Sequence, residues 1–147
     1  IFTFCFLFIF FFKFVQLKIL LIILLLVCIA SDIGGYIFGK IFKGPKLSKI
    51  SPNKTIAGAI GSLLLSSLVI VLLFYFINEK LNYLIIIVAM ITSIFCQLGD
   101  LFFSFLKRKA NLKNTGNFLP GHGGVLDRLD SILLGIPTGL FSFIIFF

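Results

Sequence analysis

Acidic side chains are the scarcest chemistry in this 147-residue sequence: five Asp or Glu stand against thirteen Lys or Arg, and charged residues of both signs make up only 12%. So few charges cannot solvate the surface of a water-soluble domain of this length. Histidine occurs once, as His122, which excludes a histidine-based metal cluster. Cysteine occurs three times, at Cys5, Cys28 and Cys96, each alone in an apolar run. That spacing matches neither a metal site nor a disulfide framework, so the three read as packing residues and say nothing about redox compartment. The basic segments are short and bounded by apolar stretches, so nucleic acid is not an expected partner.

What is abundant is hydrocarbon. Apolar residues reach 60%, Phe alone occurs 21 times, and the mean hydropathy is +1.20. The apolar residues fall in runs of roughly 20, the length of helix that crosses a hydrocarbon layer about 30 Å thick. The sequence predicts an all-α, polytopic transmembrane bundle forming a single domain over 1–147. About five spans are expected, near 1–12, 19–42, 56–77, 83–106 and 125–147, with Pro137 a kink in the last. The chain opens at Ile1 and its only Met is Met90, so it is expected to lack its true N-terminus. The Phe-rich opening, 1–14, has neither the basic start nor the small-residue cleavage site of a signal peptide and reads as the tail of a lipid-facing helix.

Two longer polar connections are expected, at about 43–55 and 107–124. Gly44, Pro45 and Pro52 stop helices in the first, and five lysines occupy 40–54; four Lys or Arg occupy 107–113 in the second. The turn at 78–82 holds one Lys beside one Glu. Because basic loops stay on the cytosolic side, both longer connections are predicted to face the cytosol, a parity that two intervening spans satisfy. Lys13 and Lys18 fall on the opposite face and oppose this assignment with two charges against nine. The net charge of +8 has two explanations that composition leaves open. It follows from ordinary basic cytosolic loops, or it marks an anion site in which Lys and Arg stand among Gly, Ser and Thr donors able to cradle phosphate.

The acids are more informative. Asp32, Asp100, Asp127 and Asp130 lie within or at the edge of apolar runs. A carboxylate at the centre of a span costs about 2.5–3.5 kcal/mol on insertion scales, so such residues face a wet cavity, a cation or a partner. Asp32 precedes Lys40 by roughly 12 Å of helix and Asp100 precedes Lys107 by roughly 10 Å, which places the two at similar depth. Asp127 and Asp130 are three apart and share a helix face. Capping and pairing with Arg128 is an alternative role for Asp127. Four acids at one depth favour an oxygen-rich cation site of the kind Mg²⁺ takes.

Ser104-Phe-Leu-Lys107-Arg108, then Lys113-Asn114, then Leu119-Pro-Gly121-His122-Gly123-Gly124-Val-Leu-Asp127-Arg128-Leu-Asp130 resembles the C-terminal signature of the phosphatidate cytidylyltransferases. Upstream, Asp32-Ile-Gly34-Gly35-Tyr36, Gly39-Lys40, Lys46-Leu47, Ile50-Ser51-Pro-Asn-Lys54-Thr55 and Gln97-Leu-Gly99-Asp100-Leu are similar to other segments of that family, so the likeness covers about 25–147. The resemblance implies a magnesium-dependent nucleotidyltransferase that joins CTP to phosphatidate, giving CDP-diacylglycerol and pyrophosphate. It implies a bacterial inner-membrane enzyme with a cytosol-facing site, whose partners are CTP, phosphatidate and membrane lipid, with a homodimer as one assembly open to it. By the same resemblance Asp100, Asp127 and Asp130 hold the metal. Lys107, Arg108, Lys113 and Arg128 bind phosphates, and His122 contacts a phosphate or the leaving group. Gly121, Gly123 and Gly124 let the backbone approach the nucleotide, and Ser51, Lys54, Thr55 and Ser104 complete the substrate site. Two positions depart from the family pattern by losing an acid: Asn114 follows Lys113 where the family has Asp, and Ala57 stands where it has Glu. A catalytically impaired member of the family is therefore one alternative. A transporter or ion pathway with buried carboxylates is another, although no internal symmetry supports it. The longer aspartate pattern of CDP-alcohol phosphotransferases is absent.

Overall fold

The computed structural model describes residues 15–47, 51, 54–78, 82–110 and 126–147. Four α-helices account for nearly all of them: α1 (Val15–Phe42), α2 (Ile56–Asn78), α3 (Leu84–Lys109) and α4 (Leu126–Phe146). Each contains a stretch long and apolar enough to cross a membrane: Lys18–Phe42, Ile56–Ile77, Leu84–Lys109 and Leu129–Phe146. The expected all-α transmembrane bundle is therefore observed. Four of the five expected spans are described, and the fifth, 1–12, lies outside the described residues.

Helix α1 is the hub. One of its faces packs Ile23 and Val27 against Ile70 and Phe74 of α2 and Ile85 and Ala89 of α3. Another packs Leu20, Leu21, Leu24 and Cys28 against Val88 and Cys96 of α3 and Ile136 and Leu140 of α4. The distribution of polarity is that of a protein dissolved in lipid. Large apolar side chains such as Ile22, Leu64, Leu68, Phe76, Phe141 and Ile144 are exposed, whereas Ser31, Ser62, Ser66, Thr92, Ser93 and Ser142 are buried. Without a hydrophobic drive between helices in lipid, small residues and interhelical hydrogen bonds supply the association. Ser31 of α1 and Ser93 of α3 share a hydrogen bond of 2.8 Å. The hydroxyls not used between helices donate back to their own helix, as Ser66 does to the Leu63 carbonyl and Thr92 to the Val88 carbonyl. Helix α4 continues through Pro137. Proline removes one helix donor there, and the neighbouring Thr138 hydroxyl donates to the Leu134 carbonyl at 2.7 Å.

The contact of α1 with α2 depends on missing side chains. A Cβ at Gly34 would stand 2.7 Å from the Gly61 carbonyl oxygen, and one at Gly58 would stand 2.6 Å from that of Gly35. Both obstacles are backbone, so the helices approach this closely only because glycine occupies both sides.

Cys28 and Cys96, separate in sequence, meet across α1 and α3 with their Sγ atoms 3.0 Å apart, both fully buried and both free thiols. Gly135 of α4 closes over them, since a Cβ there would lie 2.2 Å from Cys96 Sγ and 2.9 Å from Cys28 Sγ. The packing role read from sequence holds for this pair.

Candidate active site

The end of the bundle at which α1 and α3 finish and α2 and α4 begin carries the polar chemistry. Helix α1 ends with Lys43 in the left-handed region, φ 39°, followed by Gly44 and Pro45, which turn the chain away from the helix. The segment then returns on itself. Lys46 bridges Thr55 in antiparallel fashion, Leu47 N donates to the Lys54 carbonyl at 2.8 Å, and Ile56 N donates to the Pro45 carbonyl at 3.0 Å. This clasp presents Lys54 and Thr55 at the start of α2. Thr55 caps that helix, its Oγ1 accepting from Gly58 N at 3.1 Å, which leaves the hydroxyl proton free to donate elsewhere.

Beneath the clasp lies a cavity of about 390 Å³, within the range of small-molecule sites. All four helices contribute polar walls: Ser31 and Asp32 from α1, Ser62 from α2, Gln97 and Asp100 from α3, and Asp130 and Ser131 from α4; Lys54 and Thr55 line it from the clasp. The depth argument made from sequence thus brings Asp32, Asp100 and Asp130 to one cavity. Asp100 is within electrostatic reach of both other acids.

Each carboxylate has a partner. Lys54 Nζ forms an ion pair with Asp100 Oδ2. Lys107 Nζ lies 3.5 Å from Asp130 Oδ2, and the Ser131 backbone N–H donates to Asp130 Oδ1 at 2.9 Å. The Ser131 hydroxyl donates to Asp32 Oδ2 at 2.9 Å, tying α4 to α1. Ser104 donates to Asp100 Oδ1 at 3.4 Å and so touches the cavity through that acid. Lys107 acts likewise through Asp130, while Arg108 is exposed near the end of α3. Ser51 accepts from Lys54 N at 3.1 Å through its carbonyl and supports the clasp. Lys113, Asn114, Gly121, His122, Gly123 and Gly124 lie outside the described residues; Asp127 and Arg128 sit in the first turn of α4, with their side chains outside the described part.

The donor set is one of hard oxygens, which suits Mg²⁺ rather than a softer metal. Among the described residues no three acids stand close enough to hold an ion unaided. Mg²⁺ requires only one or two carboxylates when substrate phosphates and water complete its octahedron, and Asp100 and Asp130 fit that requirement.

Sequence reasoning missed Gln97, Ser62 and Ser131 as cavity residues. The signal available was their placement: a polar residue inside an otherwise apolar span must find a partner or a cavity. It also passed over the structural use of Gly99. A Cβ there would lie 2.7 Å from the Asp130 carbonyl oxygen and 3.3 Å from Leu134 Cβ, so α4 holds Asp130 where it does because α3 offers no side chain at that point. Gly99→Ala is expected to push the two helices apart at a cost of about 1–3 kcal/mol. The apparent Tm in detergent should fall and turnover should fall with it; an unchanged Tm together with unchanged turnover contradicts the close packing.

The model of the cytidylyltransferase family matches residues 1–146. A phosphatidate cytidylyltransferase of Staphylococcus haemolyticus (strain JCSC1435) is 48% identical over 109 residues, which are 73% of this chain and 42% of that protein. The phosphatidate cytidylyltransferases of Staphylococcus aureus (strain COL) and Staphylococcus epidermidis (strain ATCC 12228 / FDA PCI 1200) are 47% and 45% identical over the same shares. This chain therefore spans less than half the length of the curated relatives it matches. With four membrane-length helices gathered around an acid-lined cavity, and a family match that runs along nearly the whole sequence, the chain belongs to the cytidylyltransferase family.

Proposed function

We propose that this protein transfers the cytidylyl group of CTP to phosphatidate, producing CDP-diacylglycerol and pyrophosphate, at a Mg²⁺-dependent site that faces the cytosol of a bacterial inner membrane. The observation that carries the proposal is the meeting of Asp32, Asp100, Asp130 and Lys54 in one cavity at the basic end of the bundle. The names of the relatives support the substrates. The cytosolic assignment is supported by the two basic segments standing at one end, since Lys54 reaches Asp100 in the same part of the bundle where Lys107 reaches Asp130.

The reaction brings two polyanions together. A phosphate oxygen of phosphatidate attacks the α-phosphorus of CTP; a new P–O bond forms, the bond from that phosphorus to the oxygen bridging to the β-phosphate breaks, and pyrophosphate leaves with the electron pair. The attacking oxygen is already ionised at neutral pH, so the site needs no strong base. Positioning and charge neutralisation provide the acceleration. Bound Mg²⁺ supplies positive charge to the triphosphate and to the developing charge on the leaving oxygen. Asp100 and Asp130, with Asp127 three residues before Asp130 in sequence, are the residues that would hold it. Lys54 stands where it can exchange Asp100 for a nucleotide phosphate, and Lys107 holds Asp130 in place while adding positive charge near it. The Thr55 proton and the first turn of α2 provide further donors for phosphate oxygens.

Membranes containing the protein should release pyrophosphate only when CTP, phosphatidate and Mg²⁺ are all present. Release without phosphatidate, or none under any combination, contradicts the proposal; a transporter would give none.

A further inference from the structure

Gln97 of α3 is a neutral amide in a span that also carries Asp100, and the use of its two ends is fixed by what surrounds them. Its nitrogen lies 2.6 Å from Ser62 Oγ and 3.3 Å from the Ala59 carbonyl oxygen. A carbonyl oxygen only accepts, so it must face the amide NH₂ and not the amide oxygen. Ser62 gives its own proton to the same Ala59 carbonyl at 2.9 Å, which leaves its lone pairs to accept from Gln97. Both amide hydrogens are thereby engaged with α2. The amide oxygen is turned away from these acceptors on a residue that lines the cavity, and among the described residues no donor meets it.

From this arrangement we infer that Gln97 is the residue that distinguishes the nucleobase, its fixed amide oxygen accepting from the exocyclic amine of cytosine. The inference rests on the proposed use of CTP and deepens it. At the corresponding ring position uracil carries a carbonyl oxygen, which would face Gln97 acceptor to acceptor. A site built to hydrogen-bond one group rejects an analogue lacking it, because the site's own polar atom is left unpaired. The surroundings suit a flat ring: Gly35, Gly58 and Ala59 line the same cavity, and none has a side chain larger than a methyl group. The order along α3 fits as well. Asp100 follows Gln97 by one turn toward the end that carries Lys107, so a nucleotide with its base at Gln97 directs its phosphates toward Asp100 and Lys54. Ser62 is a positioning residue in this account. It acts by holding the amide in one orientation.

The test is the ratio of kcat/KM for CTP to that for UTP, measured with phosphatidate in membranes containing the protein or its variants. Gln97→Met keeps the length of the side chain and removes the acceptor, and it should lower the ratio by about tenfold or more. Ser62→Ala removes the shorter of the two contacts that hold the amide, leaving the Ala59 carbonyl, and should lower the ratio by a smaller factor; it gives the answer if the methionine variant does not accumulate in membranes. A role in packing alone, or in binding a hydroxyl of the lipid, would reduce turnover of both nucleotides equally. An unchanged ratio in these variants overturns the assignment of Gln97 and leaves the proposed function standing. If the unaltered protein uses neither nucleotide, the proposed function falls and the assignment with it.

Discussion

Asp130→Ala should reduce turnover by at least about a hundredfold while leaving the protein inserted in the membrane. Asp130 is buried, with its side chain 11% exposed, and its carboxylate accepts from the Ser131 backbone N–H and stands opposite Lys107. Truncation removes a proposed metal ligand and one carboxylate that faces the Lys107 ammonium. Preorganised charge is usually the largest contribution to catalysis at such sites, and losing one well-placed group typically costs about 10²–10³ in rate. Insertion responds in the opposite direction, because removing an acid from an apolar span makes the span more favourable in lipid. Protease protection of the membrane-embedded protein separates the two effects. Near-normal turnover at limiting Mg²⁺ contradicts the role given to Asp130.

Lys54→Met should change two affinities in opposite directions. Lys54 is engaged with Asp100, so the clasp is tied to the cavity wall by an acid that the proposed function needs for the metal. Deleting the ammonium frees Asp100 and removes a positive charge from the cavity, so Mn²⁺ used as a spectroscopic stand-in for Mg²⁺ should bind more tightly in the absence of nucleotide. CTP loses a charged partner for its phosphates, worth about 1.5–3 kcal/mol, and its KM should rise about tenfold or more. Damage to the fold would weaken both. Binding of Mn²⁺ followed by electron paramagnetic resonance, beside KM for CTP, separates the cases; weaker Mn²⁺ binding contradicts the exchange of partners at Asp100.

The helices were legible in the sequence because lipid enforces a minimum length, and the depth of Asp32 and Asp100 was legible because a buried carboxylate must be explained. The helix ends were less so. The apolar run of α3 stops near Leu106 and the helix continues to Lys109, since backbone hydrogen bonding does not require apolar side chains and Lys107, Arg108 and Lys109 favour the negative end of the helix dipole. Likewise α1, Val15–Phe42, takes in Lys18, which precedes the apolar run expected at 19–42. The pairing of charges was not legible. Lys54 was expected to contact phosphate, and nothing in the spacing says that it pairs with Asp100. Cys28 and Cys96 show the same limit, because two isolated cysteines in different spans give no local sign that they share one interior point. Gly34 and Gly99 read as family pattern, and their reason became visible only as distances to a neighbouring backbone.

The most direct measurement follows the phosphorus. With CTP labelled at the α-phosphate and phosphatidate in membranes containing the protein, the label should move into the lipid fraction. With CTP labelled at the γ-phosphate, all released label should appear as pyrophosphate, and Asp100→Asn should abolish both signals. Transfer of the γ-label to lipid would make the protein a kinase, and undiminished transfer of the α-label in the Asp100 variant would place the chemistry outside this cavity; either result contradicts the account.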